Sequence, residues 1–231
     1  AGRISRTGGR VVKNVSGYDL AKLYTGSLGS LAVISEVSFK VSPRYQTTVT
    51  VRLGLSTLAE ATEMVRRIRS GPLSPIAFVW MGPENALCIR FGDTAKAVQW
   101  QLEHLPDGDW ERLDQDEEPV AWKEVCDFYE GLGEIVVRVA VGPAAVGELL
   151  SRVEPASWLV HASRGIVLMS LSPDRIADLR REFPVIVERA PLDVRRQIPT
   201  FGLGGAELRL MTQVKDAFDP NQRLNPGRHV D

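Results

Sequence analysis

The sequence predicts an α+β fold, and three observations carry that reading. A strand–helix–strand–strand–helix–strand succession occurs twice between residues 46 and 190. A glycine-rich segment near the start leads straight into residues of period-two hydrophobicity, the pattern of a half-buried strand. Near the end, Leu208, Met211, Val214 and Phe218 fall on one face of a helix that Asp219-Pro220 stops.

Taken in order, Tyr18–Tyr24 reads as a short helix with Asp19 in its first turn, where an acidic side chain suits the helix dipole. Gly26-Ser27-Leu28-Gly29-Ser30 follows, then the apolar Leu31–Ile34. Val37, Phe39 and Val41 alternate with polar residues, so a strand over Val33–Val41 is predicted, closed by Pro43. In the first of the two repeated successions, a strand at Thr48–Leu53 precedes a helix at Thr57–Arg69 carrying Leu58, Ala61, Val65 and Ile68 at spacings of three and four. Strands Ile76–Met81 and Ala86–Phe91 meet across Gly82-Pro83-Glu84-Asn85, and a helix capped by Asp93 or Thr94 runs to His104. Asp107–Glu118 is acidic and reads as a solvated loop, and Trp122–Tyr129 as a short helix.

The second succession comprises a strand at Ile135–Val141, a helix at Pro143–Val153, strands Trp158–Ala162 and Ile166–Leu171, a helix at Pro173–Phe183 and a strand at Val185–Glu188. This element order, not any identity between the copies, predicts two ferredoxin-like units side by side. Asn225-Pro226-Gly227-Arg228 then makes a turn after the last helix.

Composition narrows function. Twenty-eight basic residues against 29 acidic ones leave a net charge of −1, which argues against nucleic-acid binding through a strongly basic face. No apolar run reaches the roughly 20 residues of a membrane-spanning helix. Cys88 and Cys126 fit neither a metal spacing nor a disulfide framework and read as buried free thiols, in keeping with a reducing cytoplasm. His104, His161 and His229 are scattered, so no zinc cluster is expected. The chain opens at Ala1 without methionine or a secretory signal pattern, and the expectation is a piece or processed form of something longer.

Each chemical candidate has a plainer reading when taken alone. In GSLGS, glycines let backbone N–H groups approach an anionic or flat ligand, and serines add hydroxyls. The segment precedes a strand rather than joining strand to helix, so it is neither a dinucleotide fingerprint nor a P-loop, and alone it reads as a turn. The terminal NPG also reads as a turn. His161, on the His161–Gly165 hairpin, reads as a surface or hydrogen-bonded residue. Arg195 and Arg196 read as surface charges, Arg66-Arg67 and Arg180-Arg181-Glu182 as solvated helix faces, and Glu117-Glu118 as loop residues. No nucleophile–base pair is visible, which disfavours a hydrolase.

Together these segments carry more. GGRVVKNVSGYDLAKLYTGSLGSLAVISEVSFKV, ending at Val41, resembles the second half of the PCMH-type FAD-binding domain in the vanillyl-alcohol-oxidase family of FAD-linked oxidases. VKDAFDPNQRLNPGR, Val214–Arg228, resembles the same family's closing helix and turn. The resemblance implies a fold made of the C-terminal half of that domain plus a duplicated ferredoxin-like cap. Residues 1–45 would be the second lobe of the FAD-binding domain, 46–200 the cap, and 201–231 the return helix and turn. It implies FAD as cofactor, contacted by Gly26, Ser27, Gly29 and Ser30, by the backbone of Ala32, Val33 and Ile34, and by Asn225 and Gly227, with Asn14, Gly17, Tyr18 and Asp19 shaping the wall.

It further implies a subunit of a complex that oxidises a small 2-hydroxy acid through flavin, beside a sister flavoprotein and an iron–sulfur subunit. The location implied is the cytoplasm, with peripheral association at the inner membrane through partners. The family's N-terminal lobe has no counterpart here, so the expectation is half of an FAD site, weak FAD binding, no activity of the chain alone, and self-association through Val11, Val12 and Leu31–Ile34. The metal motif of related dehydrogenases is missing at His161-Ala-Ser-Arg-Gly, so no metal or catalytic base is assigned, and Ala32 stands where many relatives have glycine. A flavin-free ferredoxin-like interaction or regulatory module stays open as the alternative.

Overall fold

The computed structural model describes residues 3–9, 18–114, 116–202 and 204–226. The elements in chain order are α1 (Leu20–Tyr24), β1 (Thr47–Gly54), α2 (Leu58–Ser70), β2 (Ala77–Gly82), β3 (Ala86–Asp93), α3 (Ala95–Glu103), β4 (Glu111–Arg112), α4 (Glu117–Gly131), β5 (Val136–Ala140), α5 (Val146–Val153), β6 (Trp158–His161), β7 (Ile166–Ser170), α6 (Pro173–Leu179), β8 (Val185–Arg189), α7 (Leu192–Gln197) and α8 (Gly205–Phe218). They fall into two compact units, Pro43–Gly202 and Ala1–Ser42 with Leu203–Asp231.

The Pro43–Gly202 unit is an eight-stranded antiparallel sheet in the order β4-β1-β3-β2-β6-β7-β5-β8. Alternation along the strands sends one set of side chains to each face. One face carries the main core: Trp80, Ile89, Phe91, Val160 and Met169 from strands meet Ile68 of α2, Val98 of α3, Leu150 of α5 and Ile176 of α6. Two of the helices on this unit start where side chains satisfy their open N–H groups. Thr57 and Glu60 form a reciprocal capping box on α2, and the Thr94 hydroxyl accepts from Ala97 N–H on α3. Where α2 and α5 run together, a side chain at Gly147 would meet Thr62 at 2.4 Å, so glycine sets that close approach.

The opposite face is covered by α4. Val125 and Leu132 pack with Val79, Met81, Cys88, Leu159 and Leu168. Polar ties fasten the helix to the sheet. Glu118 accepts from the hydroxyls of Thr50 (2.6 Å) and Thr48 (3.0 Å) and pairs with Arg90 (2.7 Å). Trp122 Nε1 donates to Thr50 Oγ1, Arg52 pairs with Glu124, and Arg189 pairs with Glu130.

Several expectations are corrected. Among the described residues no strand is found over the predicted Val33–Val41, and Val33, Val37, Phe39 and Val41 are exposed. Period two marks a segment able to be a strand, but a strand exists only through ladder hydrogen bonds, and no described segment pairs with this one. The Asp107–Glu118 loop contains β4, and Glu117-Glu118 belong to the first turn of α4, where Glu118 is buried among its partners. Cys126 is exposed, while Cys88 is buried and its thiol is pushed up to about 11, chiefly by burial. Arg180 and Arg195 are not simple surface charges. Arg180 donates to the Val185 and Pro199 carbonyls, and Arg195 to those of Ala190 and Glu188. Both guanidiniums satisfy chain ends that helices and strands leave open. The helix predicted over Pro173–Phe183 ends at Leu179, and α7 went unpredicted because it buries no residue and so carries no apolar stripe.

Candidate functional site

The candidate site lies within the unit formed by the two ends of the chain. Asp19 caps α1 by accepting from Lys22 N–H, and Thr25 ends the helix with its N–H and hydroxyl on Ala21 O. The chain then turns through Gly26, Leu28 and Gly29 at φ values of 81°, 53° and 71°. Glycine adopts this left-handed region freely, which is why GSLGS can form so tight a loop. The loop is closed from inside: Ser30 donates both its N–H (2.9 Å) and its hydroxyl (2.6 Å) to Ser27 O.

α8 brings the partner residues. Tyr24 meets Phe218 edge to face, with ring centroids 5.8 Å apart. Lys215 is only 3% exposed. Its ammonium donates to Asp219 Oδ2 (2.6 Å), Ser30 O (2.8 Å) and Leu224 O (2.8 Å). An ammonium has three protons, and all three are taken, which is what a buried cation requires. Asp219 also accepts from Leu224 N–H (2.7 Å), and Lys215 first, then that N–H, hold its carboxyl down at about 2. Asn225, at φ 41°, donates its side-chain amide to Leu28 O across 197 positions of sequence. A Cβ on Gly29 would sit 3.0 Å from that amide nitrogen, so this glycine lets the loop and the turn approach.

The structure thus brings Gly26, Ser27, Gly29 and Ser30 together with Asn225. Gly26 and Gly29 are exposed, Ser27 and Ser30 are buried, Ala32 is half-buried, and Val33 and Ile34 are exposed. Tyr18 is 94% exposed. Asn14, Gly17 and Gly227 lie outside the described residues. Sequence reasoning missed Lys215, Asp219 and Leu224 as the tie between loop and turn. The available signal was a lysine four residues before an aspartate at a helix stop, which sets the two side chains on one helix face.

His161 belongs to the sheet of the Pro43–Gly202 unit, where burial and then the charge of Arg164 lower its pKa. Among the described residues no cluster of His, Cys, Asp or Glu has the makings of a metal site, and no helix is long and apolar enough to cross a membrane.

The site's chemistry is that of exposed glycine backbone held by buried side chains. Among the described residues nothing lies within 4 Å of where a Gly26 side chain would start, so the loop offers open backbone to a flat or anionic group. The C-terminal domain of FAD linked oxidases matches residues 200–229, the stretch that supplies Lys215, Asp219 and Asn225. Over 91 residues the chain is 38% identical to glycolate oxidase subunit GlcE of Escherichia coli (strain K12), covering 39% of this chain and 25% of that protein. It is 30% identical over 125 residues to subunit GlcD of Bacillus subtilis (strain 168), covering 52% of this chain and 26% of that one. A D-lactate dehydrogenase of Archaeoglobus fulgidus aligns with 99% of this chain and 62% of its own length at 24% identity. The chain is thus similar to FAD linked oxidases over the stretches that these comparisons cover. It spans from about a quarter to about three-fifths of the length of these relatives.

Proposed function

We propose that the chain supplies one wall of the FAD site in a glycolate-oxidase-like enzyme that oxidises a small 2-hydroxy acid. The observation that carries this reading is the Lys215–Asn225 tie between GSLGS and the C-terminal turn, inside the stretch matched by the FAD-linked oxidase domain. Gly26, Gly29 and Asn225 would border the cofactor, with Ser27 and Ser30 shaping the loop from within, and Ala32, Val33 and Ile34 continuing the wall. When bound, FAD supplies the redox chemistry, accepting a hydride from the carbon that bears the hydroxyl. The chain's own share is to bind and orient it.

We read Pro43–Gly202 as the substrate-side cap, made of two ferredoxin-like halves. Its strand order supports this, because β4-β1-β3-β2 and β8-β5-β7-β6 repeat one arrangement about the β2–β6 junction. A sister flavoprotein and an iron–sulfur subunit are the partners this reading calls for, in the cytoplasm or peripherally at the inner membrane. The alternative, a flavin-free interaction module, draws support from the exposed apolar side chains of Val33, Val37, Phe39 and Val41.

Titration of the chain into FAD, followed by flavin fluorescence, tests the choice. Saturable quenching supports the flavin wall. FAD fluorescence that stays unchanged at saturating protein supports the interaction module.

A further inference from the structure

We propose that Lys215 and Asn225 are positioning residues, which fix two peptide planes of the glycine-rich loop so that the Gly29 N–H faces FAD; the proposal rests on the flavin reading above. In a trans peptide the C=O and the following N–H lie in one plane and point in opposite directions. Asn225 holds the Leu28 carbonyl, so the Gly29 N–H of the same plane points away from Asn225. Lys215 holds the Ser30 carbonyl, so the Leu31 N–H points away from Lys215.

The two planes differ in exposure. Leu31 is buried, whereas Gly29 lies at the surface. Among the described residues nothing accepts a hydrogen bond from the Gly29 N–H. It is an outward donor in a left-handed run, the arrangement that makes a backbone concavity for an oxygen bearing negative charge. The side chains that aim it come from α8 and the turn beyond: Lys215 acts without touching the cofactor, and Asn225 fixes the Leu28 carbonyl from the border of the site. Lys215 has no proton left for a ligand, so its role is exercised through Ser30 and Leu224.

The acceptor is an oxygen of FAD, on the diphosphate or on the ring, and ADP and riboflavin tell these apart. In the ¹⁵N-labelled full chain, FAD is expected to shift the Gly29 amide proton downfield. ADP gives the same shift if the diphosphate is the acceptor, and riboflavin does so if the ring is. Lys215→Met and Asn225→Asp should abolish that shift and weaken FAD binding about tenfold or more. The Pro43–Gly202 amides must stay unchanged in both variants, which reports that folding is intact. Propylammonium added to Lys215→Ala should restore the Gly29 shift, an effect that loss of packing alone does not produce.

An unaltered Gly29 shift and FAD affinity in Lys215→Met and Asn225→Asp would overturn the positioning role and leave the flavin reading standing. If no amide of the unaltered chain moves with FAD, the flavin reading fails and takes the proposal with it.

Discussion

Replacing Glu118 by alanine loosens α4 from the sheet, and the structure gives the size of the effect. The carboxylate is buried and bonded to the Thr50 hydroxyl, the Thr48 hydroxyl and Arg90. Thr50 has no solvent to turn to, so its O–H loses its acceptor at a cost of about 1–3 kcal/mol. Arg90 is partly exposed, and its pair with Glu118 adds about 1 kcal/mol after screening. The total is about 3 kcal/mol, equivalent to a fall in Tm of about 6–12 °C for a chain of this size. Thermal unfolding by circular dichroism measures it, and the emission of Trp122, which donates to Thr50, reports on the same contact. Glu118→Gln keeps acceptors for the threonines and should lose about half as much. A drop below about 2 °C in Glu118→Ala would refute the claim that this carboxylate fastens α4.

Asp219 has a folded pKa depressed to about 2 against an ordinary 3.8, so its contribution is present above pH 3.8 and is lost as the pH falls toward 2. Urea unfolding between pH 2 and 6 should therefore weaken through that window in the unaltered chain and less steeply in Asp219→Asn. Cys88 is buried with its thiol at about 11 and Cys126 is exposed, so a disulfide reagent at pH 8 should modify Cys126 alone in the folded chain and both thiols in denaturant. Gly165→Ala should destabilise by about 2–3 kcal/mol in urea unfolding, because the residue sits at φ 67° and a Cβ would lie 2.1 Å from Val141 O.

Most of the strands and helices between Thr47 and Arg189, β4 and the start of α4 apart, were legible because they pair a clear hydrophobic period with a cap or turn residue. The loop at Gly26–Ser30 was legible as a motif, since Gly26 and Gly29 take left-handed φ values that glycine adopts freely. What periodicity leaves unreadable is partnership. Val33–Val41 has the alternation of a strand and pairs with none of the described strands, whereas β4 has a neighbour in β1 and no pattern in its two residues. Glu118 read as a loop residue and Lys215 went unmarked, because burial of a charged group depends on donors and acceptors far along the chain. For Lys215, one of those acceptors stands 185 positions away.

The junction of β2 with β6 has a bearing on how this sheet comes into being. Val79, Trp80, Met81 and Gly82 pair with His161, Val160, Leu159 and Trp158, and Trp158 rests on the bare Gly82 backbone. Neither half has a finished border on its own, since each strand there would present open amides to water or to a stranger. Cleaving the backbone after Gly131 should therefore yield fragments that are sticky apart and reassemble when mixed, the broken border itself acting as the template.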